Sequence, residues 1–235
     1  MKLITVAGPP ACGKTAVILK TVLELQRMEV SAGVVKFDCL STDDDERYAR
    51  VGIPVQKGLS GSICPDHYFA SNIEETVAWG QQQTVSVLFT ESAGLCNRCS
   101  PHIRDVMAVA VIDVLSGINA PRKVGPMLRT ADVVVVTKGD VVSQAEREVF
   151  SSRVHEANPR ARILPVNGLN GQGAFELARL LRDEAPEQAT VTGSRLRYPM
   201  PSAVCSYCLG EQRIGADHQI GNVTTLNLTT PEISP

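Results

Sequence analysis

The segment GPPACGKT at residues 8–15 constrains this chain more than any other stretch. It follows the apolar run Leu3–Ala7 and leads into Ala16–Met28, a stretch with the composition of a helix. A strand, a glycine-bearing turn and a helix in that order form a phosphate-binding P-loop. Gly8 and Gly13 let the backbone curl so that its N–H groups point at phosphate oxygens. Lys14 supplies a point charge, and the Thr15 hydroxyl suits Mg²⁺. The following helix sets the positive end of its dipole under the phosphates. The loop's expected nucleotide contacts are Gly8, Pro9, Ala11, Cys12, Gly13, Lys14, Thr15 and Ala16, with Cys12 a small filler packed beneath them.

With 235 residues, 43% hydrophobic and 20% charged, the chain can build one large core and an appendage. Apolar β-branched runs at Ser31–Phe37, Val85–Thr90, Met107–Val114, Asp132–Thr137 and Arg162–Val166 alternate with helix-like Ile73–Gln82, Ala145–Ala157 and Ala174–Glu184. That alternation predicts an α/β fold of the P-loop NTPase kind, a mostly parallel sheet with helices on both faces. The predicted plan is a nucleotide-binding domain over 1–184, a Pro/Ser/Thr/Gly-rich linker over 185–201, and a small Cys-containing C-terminal segment over 202–235. A net charge of −2 argues against a general nucleic-acid or membrane-surface binder. No uninterrupted apolar run reaches membrane-spanning length. Met1–Ala7 reads as the first strand with no leader ahead of it, so a cytoplasmic protein is expected. There, seven cysteines point to metal or redox chemistry rather than a disulfide framework.

Ligands of open α/β sheets sit at the carboxyl ends of strands, so partners of the P-loop are sought there. Asp38 ends the second strand run and Glu91 follows Val85–Thr90. Both are expected to serve Mg²⁺ or the attacking water, with Lys14, Asp38 and Glu91 as the catalytic set and Thr15, Asp38 and Glu91 on the magnesium side. TKGD at 137–140 follows another strand. It is similar to the guanine-selecting NKxD element, with Thr137 in place of Asn, the Lys138 stem along the base and Asp140 accepting from the guanine N1–H and amine. PVNGLNGQG at 165–173 places Asn167 and Gly168 in a last base-contacting loop.

The series GPPACGKT, FDCLSTDD, GLSGSICPDH, ESAGLC, TKGD and NGLNGQG resembles the SIMIBI class of P-loop GTPases. Within it the resemblance is to the GTPases that assemble hydrogenase and urease nickel centres, of the HypB and UreG kind, and it covers residues 1–183. It implies a Mg²⁺-dependent GTPase, FDCLSTDD as a switch segment, and GSICPDH as the counterpart of a Cys-Pro-His stretch that binds metal at a dimer interface. Three departures stand out: an Asp lies between Pro65 and His67, the His-rich N-terminal tail of some nickel GTPases is absent, and the Cys205/Cys208 pair is not part of the family pattern.

Three elements carry metal-ligand residue types. Cys64 and His67 lie on a segment expected at the surface. Cys96, Cys99 and His102 form a C-x-x-C-x-x-H run expected on an exposed loop, and Cys205 and Cys208 form a pair near the C-terminus. Thiolate with imidazole suits Zn²⁺, Ni²⁺ or an iron–sulfur cluster; the second pair is also consistent with a redox couple. The reading favoured is a GTP-hydrolysing metallocentre maturation factor, homodimeric and serving a client metalloenzyme or accessory protein, with Arg98 or Lys36 offering charge across the dimer. A P-loop small-molecule kinase and a non-enzymatic metal or cluster carrier are the alternatives.

Overall fold

A computed structural model describes residues 1–199, 211–218, 225, 226 and 228. Cys205 and Cys208 lie outside the described residues. Seven strands form one parallel sheet: β1 Lys2–Ala7, β2 Ala32–Asp38, β3 Val55–Leu59, β4 Val87–Glu91, β5 Met107–Asp113, β6 Val133–Thr137 and β7 Arg162–Pro165. Their order is β3-β2-β4-β1-β5-β6-β7, which sets β1 and its phosphate loop mid-sheet. The helices are α1 Lys14–Arg27, α2 Asp44–Ala49, α3 Pro65–Gln82, α4 Ala120–Lys123, α5 Pro126–Arg129, α6 Gln144–Ala157 and α7 Ala174–Glu184. Strand β5 is buried at every position and β6 reads VVVVT, as expected of strands covered on both faces.

One face of the sheet packs against α1 and α7. The buried apolar positions of α1, Val17, Ile18, Val22 and Leu25, recur at helical spacing and meet Leu177, Ala178 and Leu181 in one core. On the opposite face α3 contributes Phe69, Ile73 and Val77 to a second cluster. That cluster also takes in Val191, Leu196 and Ile214. The stretch 185–199, whose composition is that of a linker, is therefore packed against the domain. Arg197 fixes it by donating to both carboxylate oxygens of Asp132 at 2.7 Å and to the carbonyls of Ile103, Thr130 and Val106. Among the described residues no helix is long and apolar enough to cross a membrane.

Strand β3 and helix α2 are not expected from the sequence, and α3 starts at Pro65 rather than at Ile73. The early start has a local cause: Pro65 occupies the first helical turn, where its missing N–H costs nothing and its fixed φ favours the helix. Cys64 becomes the residue that opens α3.

Candidate nucleotide and thiolate sites

At the carboxyl end of the sheet the P-loop folds between β1 and α1. Gly8 has φ +154°, and a Cβ there would lie 2.1 Å from the Val111 carbonyl oxygen, so only glycine fits. Lys14 bends back over the loop, donating at 2.9 Å to the carbonyl oxygens of Gly8 and Pro9. Cys12 is fully buried beneath the loop, and burial pushes its thiol up.

Glu91, at the end of β4, is fully buried. Its Oε1 accepts from the Thr15 hydroxyl and from Lys36 Nζ, each at 2.7 Å. Its Oε2 accepts from the buried Tyr48 hydroxyl at 2.7 Å. Lys36 also pairs with Asp44 at 3.0 Å and lies 3.8 Å from Asp38. Burial pushes the Lys36 ammonium down, but the Glu91 and Asp44 carboxylates outweigh it and hold the ammonium above its usual range. Desolvation and the Glu91 charge hold the Tyr48 phenol well above its usual range, so it is a donor to Glu91. Lys36 therefore faces its own chain's acids and is not presented to a partner, which corrects the expectation for it. Lys14, Thr15, Lys36, Asp38, Asp44, Arg47 and Glu91 line one cavity of about 380 Å³. Tyr48 and Asp44 escape sequence reasoning as site residues because α2 is short and its composition, DDERYA, reads as solvated charge.

A second cavity, of about 290 Å³, is lined by Gly13, Ala16, Leu115, Thr137, Lys138, Asp140, Val141, Asn167, Gly168 and Leu169. It is mostly apolar in its walls, counts Asp140 among its lining residues, and adjoins the phosphate cavity through Gly13 and Ala16. Thr137 donates to the Cys12 carbonyl at 2.6 Å and Lys138 to the Ala11 carbonyl at 2.9 Å, tying the TKGD turn to the P-loop. Asn167 uses its carboxamide oxygen to accept from Leu169 and Asn170 N–H groups, so it shapes the loop that presents Gly168.

The segment after Glu91 runs across the P-loop. Gly94 has φ +75°, and a Cβ there would lie 1.8 Å from the Gly8 oxygen and 3.1 Å from Lys14 Nζ. Immediately beyond this contact, Cys96 and Cys99 meet Asp66, their donor atoms lying within 4.8 Å of one another. Cys64 hydrogen-bonds Cys99. That bond, together with backbone N–H groups of His67 and Asp66 and the charge of Arg98, lowers the Cys64 thiol to about 6 against the penalty of burial. A cysteine at a helix N-terminus is a recognised setting for a thiolate. Asp66 is fully buried, and desolvation, then the neighbouring Cys64 charge, raises it to about 7. The cysteine–carboxylate cluster of this fold is thus Asp66, Cys96 and Cys99, with Cys64 joined to it through Cys99. The same bond to Cys64, with burial, pushes the Cys99 thiol up, so Cys64 is the thiolate of the pair and Cys99 its donor.

Two sequence-predicted ligands are not brought there. His67 is fully buried within α3 rather than on a surface segment. Neighbouring helical residues point about 100° apart, so Asp66 and His67 do not face one target. His102 is also fully buried. Its Nε2 lies 3.0 Å from the Met127 carbonyl and its Nδ1 2.9 Å from the Thr5 hydroxyl. A carbonyl only accepts, so Nε2 carries the proton and both ring nitrogens are engaged. Cys99 is likewise buried, where an exposed loop was expected.

Burial, then the charge of Arg197, drops the His102 pKa from 6.5 to about 3. The unfolded chain therefore binds a proton at this residue between those pH values while the folded chain does not, so stability falls with acidification. From pH 7 to 5 this residue alone removes about 2 kcal/mol. Stabilities from denaturant melts at pH 7 and pH 5 should fall by about 2 kcal/mol more in wild type than in His102→Gln; equal falls would contradict the assignment.

The CobW/HypB/UreG nucleotide-binding domain family matches this chain over residues 2–165. An uncharacterized protein of Methanocaldococcus jannaschii is 47% identical over 221 residues, covering 94% of each chain. A urease accessory protein UreG of Bradyrhizobium sp. is 28% identical over 198 residues, covering 77% of this chain and 90% of its own. Among solved structures, hydrogenase maturation factor HypB of Archaeoglobus fulgidus aligns with TM-score 0.61 at 24% identity, covering 77% and 89% of the two chains. HypB of Helicobacter pylori, in complex with nickel, aligns with TM-score 0.64 at 17% identity, covering 81% and 91%. With its P-loop on the central strand of a seven-stranded parallel sheet, the chain belongs to the CobW/HypB/UreG nucleotide-binding family.

Proposed function

We propose that this chain is a GTP-hydrolysing maturation factor that couples its nucleotide state to the handling of a thiolate-bound metal or cluster for a client metalloenzyme. The observation that carries the reading is the run from Glu91 to Cys99. It starts on the partner of Thr15, presses on Gly8 through Gly94, and ends in the thiolate cluster. Family membership supports a nucleotide-driven role, and the nickel complex of the Helicobacter pylori HypB supports a metal as cargo. Thiolates with one carboxylate suit Zn²⁺, Ni²⁺ or an iron–sulfur cluster.

In this reading Lys14 and the loop N–H groups hold the phosphates. The oxygen donors of Thr15, Glu91 and Asp38 suit Mg²⁺, which favours oxygen ligands and, when bound, neutralises charge on the transferred phosphoryl group. Asp38, on the wall of the same cavity, orients the attacking water. Thr137 and Lys138 hold the base loop, and Asp140 accepts from guanine. Leu95 is 58% exposed and lines the phosphate cavity. An exposed apolar side chain on that cavity supports a second copy or the client closing over it, and Arg98, three residues on, is also exposed.

Guanine selection has a direct test. Asp140→Asn puts an amide donor where the carboxylate accepted, which suits the 2-carbonyl of xanthine and leaves the guanine amine unmatched. Fluorescent-nucleotide titrations should show guanine affinity falling about tenfold to a hundredfold, with xanthine nucleotide preferred. An unchanged preference would remove the assignment of the base pocket.

The thiolate cluster predicts one zinc bound per chain in competition with a chromophoric chelator. Asp66→Asn and Cys99→Ser should each weaken it at least tenfold, whereas His102→Gln should leave it unchanged. Equal loss in all three variants, with folding intact, would refute this donor set.

A further inference from the structure

Three cations line the phosphate cavity, and of these Lys36 is the one that reaches Glu91; Lys14 donates to the carbonyls of Gly8 and Pro9, and Arg47 pairs with Asp44 at 3.4 Å. Lys36 sits on β2 in direct register with Glu91 on β4, so the two side chains leave the sheet side by side. Its side chain is only 5% exposed, its Nζ reaches Glu91 and Asp44 at 2.7 and 3.0 Å, and Asp38 lies 3.8 Å away. The Glu91 oxygen that it touches is the one that accepts from the Thr15 hydroxyl. In a P-loop protein that hydroxyl belongs to the magnesium side of the site. An ammonium and a divalent cation cannot share one carboxylate oxygen at close range without strong repulsion, because in a buried site of low dielectric that repulsion is poorly screened.

We propose that Lys36 is a tethered cation that holds the acid site in the nucleotide-free chain, so that Mg²⁺ enters only together with a nucleotide. On entry Lys36 leaves Glu91 and keeps its pairing with Asp44, the first residue of α2. The phosphates supply the negative charge that makes the exchange favourable, and Asp44 carries the change into α2. Free divalent ions are thereby kept off Glu91 until the P-loop is filled. This inference rests on the reading of the P-loop as a magnesium–nucleotide site.

The probe is Mn²⁺, counted by electron paramagnetic resonance with protein alone and with GDP. Wild type should bind Mn²⁺ at least tenfold more weakly without GDP than with it. Lys36→Met should bind Mn²⁺ without nucleotide at least tenfold more tightly than wild type, Lys36→Arg should behave as wild type, and adding Glu91→Gln to Lys36→Met should abolish the gain. Should Lys36→Met fail to fold, Lys36→Gln carries the same expectation. No gain on removing the ammonium, or a gain that survives Glu91→Gln, overturns the proposal while leaving the nucleotide site standing. Wild type that fails to bind Mn²⁺ even with GDP would instead remove the magnesium–nucleotide reading itself.

Discussion

The buried carboxylate of Glu91 is the interaction on which the rest of the site depends. It has no contact with solvent, and its two oxygens take a hydroxyl from the P-loop, an ammonium from β2 and a phenol from α2. A buried charge is tolerable only when paired and hydrogen-bonded, so each of these donors is needed for the others to stay in place. The consequence is that three separate elements, α1, β2 and α2, are registered against the end of β4. Whatever displaces one donor changes what the others can do.

From that point the chain leaves β4 and crosses the phosphate loop. Gly94 makes the crossing feasible, since any side chain there would collide with Gly8. Cys96 and Cys99 then reach the start of α3, where Cys64 and Asp66 wait. The cysteine cluster and the nucleotide loop are thus two ends of one short stretch, buried from Glu91 to Gly94 and exposed at Leu95, Asn97 and Arg98. The proposed coupling rests on that short chain distance, five residues from Glu91 to Cys96.

Much of this was legible in the sequence, because the signals were local. The P-loop, the acid at the end of β4 and the TKGD turn each declare themselves within a few residues, and strands β5 and β6 are apolar up to their last residue. What was not legible depended on other parts of the chain. Strand β3, VQKGL, buries only Gly58, so an edge strand left no periodic trace. Lys36 and Glu91 are far apart in the chain and become neighbours only through the register of β2 on β4. His67 and His102 have the residue type of ligands, but helix phase turns one away and a Thr5–Met127 pocket claims the other. Asp66, which the sequence offers only as a departure from a Cys-Pro-His pattern, takes the place at the thiolates. The segment 185–199 has a linker's composition, yet Val191, Leu196 and Arg197 bind it to the domain.

The central claim is that nucleotide state and metal affinity are coupled through the run from Glu91 to Cys99. The most direct measurement is the zinc affinity of the full chain saturated with GDP and with a non-hydrolysable GTP analogue, under identical buffer and salt. The account predicts at least a fivefold difference between the two forms, within the usual range for coupled sites. Equal affinities would contradict it.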